Sequence, residues 1–140
     1  DVCSSDLLQK EVVDRMAAGP GSKVFGRLSV MLQAYSDVIP LFDVPPAAFR
    51  PPPKVDSSVV RLVPKDPASV GIDNPALFEH VVRDAFGQRR KTLRNALSQL
   101  CTSEDILAAG IRPDARAEQL EVAAFIALAN LLASRPPAVG

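Results

Sequence analysis

Phe49-Arg50-Pro51-Pro52-Pro53-Lys54-Val55-Asp56-Ser57-Ser58-Val59-Val60-Arg61-Leu62 couples a stiff loop to a strand. Three consecutive prolines have no backbone N–H and hold φ at about −65°, so they form an extended rod rather than helix or ladder. Phe49, placed ahead of the rod, has little freedom to swing. Two readings are open for it. It is a stacking platform presented at a strand edge, or a plug in a hairpin core.

The Val-rich run after the rod reads as a strand over 55–63. Val55, Val59 and Val63 share one face, and Val60 and Leu62 the other, which argues for burial inside a larger sheet. On this reading the strand needs neighbours that the chain does not supply. Residues 38–44 read as its partner, an edge or bulged strand, because six of the thirteen prolines fall between Pro40 and Pro53. Upstream, residues 10–18 read as a short helix stopped by Gly19-Pro20. Val24, Phe25, Leu28, Met31, Leu32 and Tyr35 then carry a helical period, with Ser22 as the N-cap.

Residues 64–72, with two prolines and a glycine, form the expected linker. Beyond it every apolar pattern is helical. Asn74 caps and Pro75 opens a helix carrying Phe78, Val81, Val82 and Phe86. A second helix is expected over 89–100, a short one over 103–109 closed by Gly110, and a last one over 120–133, apolar almost all round. The tail from Arg135 is expected to be disordered.

Sixteen basic and sixteen acidic side chains cancel, so net charge points to no polyanion. Their distribution does: residues 73–100 carry five basic against three acidic side chains, concentrated between Arg83 and Arg94. On the expected helix, positions 90, 91 and 94 fall within about one third of the circumference, while Leu93, Leu97 and Leu100 line another side. That face is either a ridge that tracks phosphates, which Arg forks and a Lys point charge suit, or an ordinary solvated surface. His80 reads as a helix-face residue rather than a base, and no metal-ligating set appears. Cys3 lies within residues 1–7, expected to be a leader outside the fold, and Cys101 has no plausible partner, so a reducing, cytoplasmic setting is expected. No run is long and apolar enough for a membrane span, and no secretory signal is expected.

Three segments carry a resemblance to a known family: Leu8-Gln9-Lys10-Glu11-Val12-Val13-Asp14-Arg15 with Gly26-Arg27-Leu28-Ser29-Val30, the proline loop and its strand, and Phe86-Gly87-Gln88-Arg89-Arg90-Lys91-Thr92-Leu93-Arg94-Asn95-Ala96-Leu97. In this order and spacing they resemble the back half of the ribosomal RNA adenine N6,N6-dimethyltransferases, above all the group acting on the small subunit. The likeness runs from about Leu8 to about Ser134. It implies an α/β fragment: the C-terminal part of a Rossmann-like class I methyltransferase domain (helices and a closing antiparallel strand pair) over 8–63, then a small all-α RNA-recognition domain over 73–134. Residues 1–7, polar where the resemblance requires a buried strand, are expected to be a non-native leader outside the fold.

The family's glycine-rich turn for S-adenosylmethionine and its Asn-Leu-Pro-Tyr-type loop for the target amine are not found in this sequence. The chain is therefore expected to be a fragment, silent alone, with no catalytic and no cofactor-binding residue of its own. The resemblance implies that Phe49 stacks on the target adenine and that Lys54, Arg89, Arg90, Lys91 and Arg94 contact RNA; a solvated loop charge is the other reading of Lys54. The parent would be a monomer that uses S-adenosylmethionine to dimethylate two adjacent adenines of small-subunit RNA during ribosome biogenesis. Two alternatives stay open: a large-subunit enzyme of the macrolide-resistance type, and a non-catalytic nucleic-acid-binding relative such as the mitochondrial transcription factors.

Overall fold

A computed structural model describes residues 4–88 and 90–135 of the chain. They form an α/β structure in two compact units, Asp1–Val70 and Gly71–Gly140. The first unit runs β1 (Ser4–Gln9), α1 (Lys10–Ala17), α2 (Arg27–Tyr35), β2 (Ser36–Val44), β3 (Ser57–Pro64) and α3 (Pro67–Val70). The second is helical: α4 (Pro75–Gly87), α5 (Leu93–Ala96), α6 (Ser103–Ala108) and α7 (Val122–Ala133).

The three strands make one antiparallel sheet in the order β1-β3-β2. Pro40 cannot donate to a ladder, and it sits on edge strand β2 beside a register shift between Pro40 and Phe42. The sequence places an edge or bulged strand here, and β2 is both. Two expectations need correction. β3 does have neighbours on both sides, and one of them is β1, whose Ser4–Leu7 portion was expected to lie outside the fold. Ser4 to Leu7 pair with Leu62 to Val59. Their side chains are exposed, so backbone pairing holds them and their polarity is no obstacle to strand formation.

Alternation along β3 sends Val60 and Leu62 to one face and Val59 to the other. The first face is covered: Val60 packs with Val13 and Met16 of α1, and Leu8, Leu32, Val38 and Leu62 close around them. The second carries the row Leu7, Val59, Phe42 across the three strands, with Leu7 47% and Phe42 59% exposed. The apolar two-sidedness of β3 is real, but only one side is covered by these residues.

Helices α1 and α2 are joined by polar contacts at the end of α1, where backbone carbonyls lack helical partners. The Gln33 side-chain amide donates to Met16 O at 2.9 Å and Ala18 O at 2.8 Å. Buried Ser29 donates its hydroxyl to Arg15 O and accepts from the Gly26 N–H at 3.1 Å. The second contact fixes the start of α2 at Arg27, five residues beyond the expected cap. Ser22 accepts from the Val24 N–H within a turn instead, and extended Gly26 separates buried Phe25 from the helix. Gly21 ends the α1 side of this connection at φ +89°, a conformation that suits glycine. Of the segment expected as a linker, Pro67–Val70 forms one helical turn whose first groups bond to Asp66.

In the second unit Asn74 caps α4 as expected, accepting from the Leu77 N–H at 3.1 Å, with Pro75 next. Phe78, Val81, Val82 and Ala85 of α4 are buried, as are Phe125, Leu128 and Ala129 of α7, Leu93, Leu97 and Ile106. The Phe86 and Phe125 rings stack at 5.5 Å. Asn130 on otherwise apolar α7 clamps the start of the unit, donating to Gly71 O at 2.6 Å and accepting from the Asp73 N–H at 3.1 Å. α6 opens with a reciprocal cap: Thr102 accepts from the Asp105 N–H, and buried Asp105 accepts from the Thr102 N–H at 2.9 Å. Asp105 also takes the Arg135 guanidinium at 2.8 Å, so Arg135, expected in a disordered tail, is tied down. Residues 136–140 of that tail lie outside the described residues, as do residues 1–3.

The helix expected over 89–100 is not continuous. Among its described residues only Leu93–Ala96 is α-helical, followed by turns. The reason lies in its hydrogen bonds: the Leu93 N–H donates to Ala115 O at 2.8 Å and the Arg94 N–H to Pro113 O at 3.1 Å. A helix starting at 89 needs both donors for its own carbonyls, so the 113–115 loop cuts it.

Candidate nucleic-acid interface

The broken helix changes the expected basic ridge. Arg90 and Lys91 lie in the turn after α4, closed by the Lys91 N–H on Gln88 O at 3.0 Å, while Arg94 lies on α5. The three side chains are exposed but do not share one helical face. Arg89 lies outside the described residues. The start of α5 meets the 112–115 loop, where Arg112 holds Asp114 at 3.3 and 3.0 Å. Arg112 keeps the Asp114 carboxyl below its ordinary range, with a smaller push from Arg94.

Beside this turn the chain forms a half-open cleft of about 420 Å³ between the end of α4 and α5. Arg83, Asp84 and Gln88 form one wall, and Lys91, Asn95 and Gln99 are on the other. Asp84 is engaged by Arg83 at 3.4 Å and by His80, one helical turn back, at 3.3 Å. His80 is thus a helix-face residue, as the sequence suggests. Of the expected RNA-contacting residues that are described, only Lys91 lines this cleft. Its amides went unnoticed in the sequence, although polar residues at 84, 88, 91, 95 and 99 repeat every three to four positions.

In the first unit Phe49 follows a single 3-10 turn, Pro46–Ala48, and its N–H bonds to Pro46 O at 3.1 Å. The ring is half-buried and Lys54 is exposed. The Arg50–Pro51 bond that leads into the prolines is cis. Near the end of the loop the Lys10 N–H bonds to Asp56 O at 2.9 Å. The Lys10 ammonium sits 3.4 Å from Asp14 and 3.7 Å from Asp43. Asp14, then Asp43, push its pKa up. Phe49 and Lys54 belong to one unit, and Arg90, Lys91 and Arg94 to the other.

The described glycines do not form the turn of an S-adenosylmethionine pocket. Such a pocket needs backbone to approach the ligand where a strand meets a helix. The described glycines with positive φ, Gly21, Gly71 and Gly110, each follow a helix instead. A Cβ built on any of them meets nothing within 4 Å, so they form no close cradle. No helix among the described residues is long and apolar enough to cross a membrane.

Comparison with known proteins places these features. The family described as ribosomal RNA adenine dimethylase matches residues 6–134. Curated relatives called ribosomal RNA small subunit methyltransferase A, from Xanthomonas oryzae pv. oryzae (strain PXO99A) and Xanthomonas campestris pv. campestris (strain B100), are each 74% identical over 125 residues. That alignment covers 89% of this chain and 48% of each relative, so the chain spans about half the length of the curated relatives it matches. Among solved structures, a dimethyladenosine transferase from Plasmodium falciparum superposes with a TM-score of 0.77 at 26% identity, over 90% of this chain and 55% of that one. The 23S rRNA methyltransferase ErmE superposes with a TM-score of 0.65 at 20% identity, over 94% of this chain and 55% of that one, a likeness of fold alone. With nearly every described residue inside the family match, the chain belongs to the ribosomal RNA adenine dimethylase family.

Proposed function

We propose that this chain is the C-terminal portion of an S-adenosylmethionine-dependent enzyme that dimethylates two adjacent adenines of small-subunit ribosomal RNA in the cytoplasm. The observation that carries the reading is the family match over residues 6–134, joined to 74% identity with small-subunit methyltransferases. The sheet unit is the closing part of a Rossmann-like domain, and the helical unit is an RNA-recognition domain. The large-subunit alternative has only a fold likeness behind it.

In this reading Phe49 stacks on an extruded adenine, since chemistry on a base requires it to leave its helix and be gripped by its faces. A half-buried ring on a short turn loses little freedom when a base lands on it. Lys54, Arg89, Arg90, Lys91 and Arg94 neutralise phosphates. None of the residues described here holds the methyl donor, so methyl transfer depends on the rest of the parent protein.

A chimera tests the proposal: this chain replaces the matching half of the Xanthomonas oryzae relative, and methyl transfer from S-adenosylmethionine to small-subunit RNA is measured. Transfer to adjacent adenines is expected. A chimera that folds and binds the methyl donor but leaves that RNA unmodified refutes the assignment.

A further inference from the structure

We propose that the cleft between the end of α4 and α5 takes one unpaired nucleotide of the RNA, with an amine-bearing base, in preference to uracil, read at its edge. The inference deepens the reading that the second unit contacts RNA and rests on it. Three observations converge on the cleft.

The first is size. A volume of about 420 Å³ lies at the low end of ligand-sized clefts, about 300–1,000 Å³. It admits a single nucleotide and excludes a duplex.

The second is its lining. Gln88, Asn95 and Gln99 bring three side-chain amides to one small space. Each amide both donates and accepts, which matches a base edge better than it matches a phosphate, an acceptor only. Sequence-reading of RNA targets unpaired bases through such edges. A simple phosphate-tracking surface has no use for three amides.

The third is the arrangement of charge. Lys91 stands on the α5 side, next to exposed Arg90, and suits the phosphate. The opposite wall ends in the C-terminus of α4, the negative end of a helix of 13 residues. Asp84 adds a carboxylate there. Arg83 and His80 engage it, but a carboxylate has about four acceptor positions and retains capacity for more. Arg83 shares that wall but is engaged with Asp84 at 3.4 Å, so the carboxylate and the helix end present acceptors there for an exocyclic amine. Cytosine, adenine and guanine carry an exocyclic amine, whereas uracil carries only carbonyls. The nucleotide therefore lies with its phosphate at Lys91 and its base edge toward Asp84.

Binding of the 140-residue chain to labelled single-stranded hexamers of cytidylate and of uridylate, and to an RNA duplex, tests this. The cytidylate hexamer is expected to bind about tenfold more tightly than the uridylate one, the scale of one good base contact. Asp84→Asn should erase that preference. Asn95→Ala with Gln99→Ala should weaken both hexamers by about tenfold while the salt dependence stays the same, because no charge is removed. Gln88→Ala, on the facing wall, gives an independent second variant, and side-chain amide resonances of Gln88, Asn95 and Gln99 should shift when cytidylate is added. Equal binding of the two hexamers, or an amide variant that binds as the parent does, overturns the inference. If duplex binding persists with its salt dependence in that case, only the nucleotide site fails. If no RNA binds, the RNA-recognition reading fails with it.

Discussion

Replacing Arg90, Lys91 and Arg94 together by Gln should flatten the salt dependence of RNA binding by up to about 2.7 units. Each phosphate neutralised contributes about 0.9 to the slope of log affinity against log salt on a duplex. Three contacts give an upper limit of about 2.7. Between about 50 and 200 mM salt, that difference means the parent chain loses roughly 40-fold more affinity than the variant. The break in the expected helix makes the three contributions separable. Arg90 and Lys91 stand in the turn after α4, while Arg94 stands on α5 beside the Arg112–Asp114 pair. Each single replacement should remove about one contact's share, roughly 0.9, of the slope. The three side chains are exposed and outside the core, so folding should be unaffected, which far-UV circular dichroism checks. Anisotropy of a labelled small-subunit RNA helix over a salt series reads the slope. A triple variant with the parent's slope refutes the assignment of these cations to phosphates.

Removing the Gln33 amide, as Gln33→Leu, strands the Met16 and Ala18 carbonyls at the end of α1. Two lost hydrogen bonds of about 1 kcal/mol each predict a destabilisation of about 2 kcal/mol by urea titration of the first unit; less than about 0.5 kcal/mol would show that water replaces the amide. Asn74→Ala should destabilise the second unit by about 1 kcal/mol through the lost α4 cap, with Asn74→Gly milder. Burial pushes the Cys101 thiol above its ordinary range, against a smaller lowering from Arg135. Only the thiolate reacts. In a Cys3→Ser background, alkylation of Cys101 should therefore be slower than that of a free thiol at neutral pH and continue to accelerate at higher pH; a rate equal to the free thiol's would contradict that environment.

The parts legible from sequence were those fixed by neighbours in the chain. Asn74-Pro75 starts a helix because both residues act on the first turn directly. The prolines around β2 forecast an edge because a missing N–H is a local fact. Distant partners fixed the parts that were misread. Nothing near residue 89 reveals that Pro113 and Ala115 supply the carbonyls that take the Leu93 and Arg94 donors. Likewise Ser22 looks like a cap until Ser29 binds both Gly26 and Arg15.

The candidate site divides along the same line. Arg90, Lys91 and Arg94 are visible by residue type, because a cluster of cations is a property of composition. The cleft that Lys91 shares with the amides was invisible, because it depends on where the chain stops being helical. Had residues 89–100 formed one helix, positions 91, 95 and 99 would have made a polar stripe along a rod, continuous with the basic face. The turn at Gln88 to Lys91 instead folds that stripe against the end of α4. A surface suited to following phosphates thereby gains a pocket suited to distinguishing one base, and the same 113–115 loop that breaks the helix creates the difference.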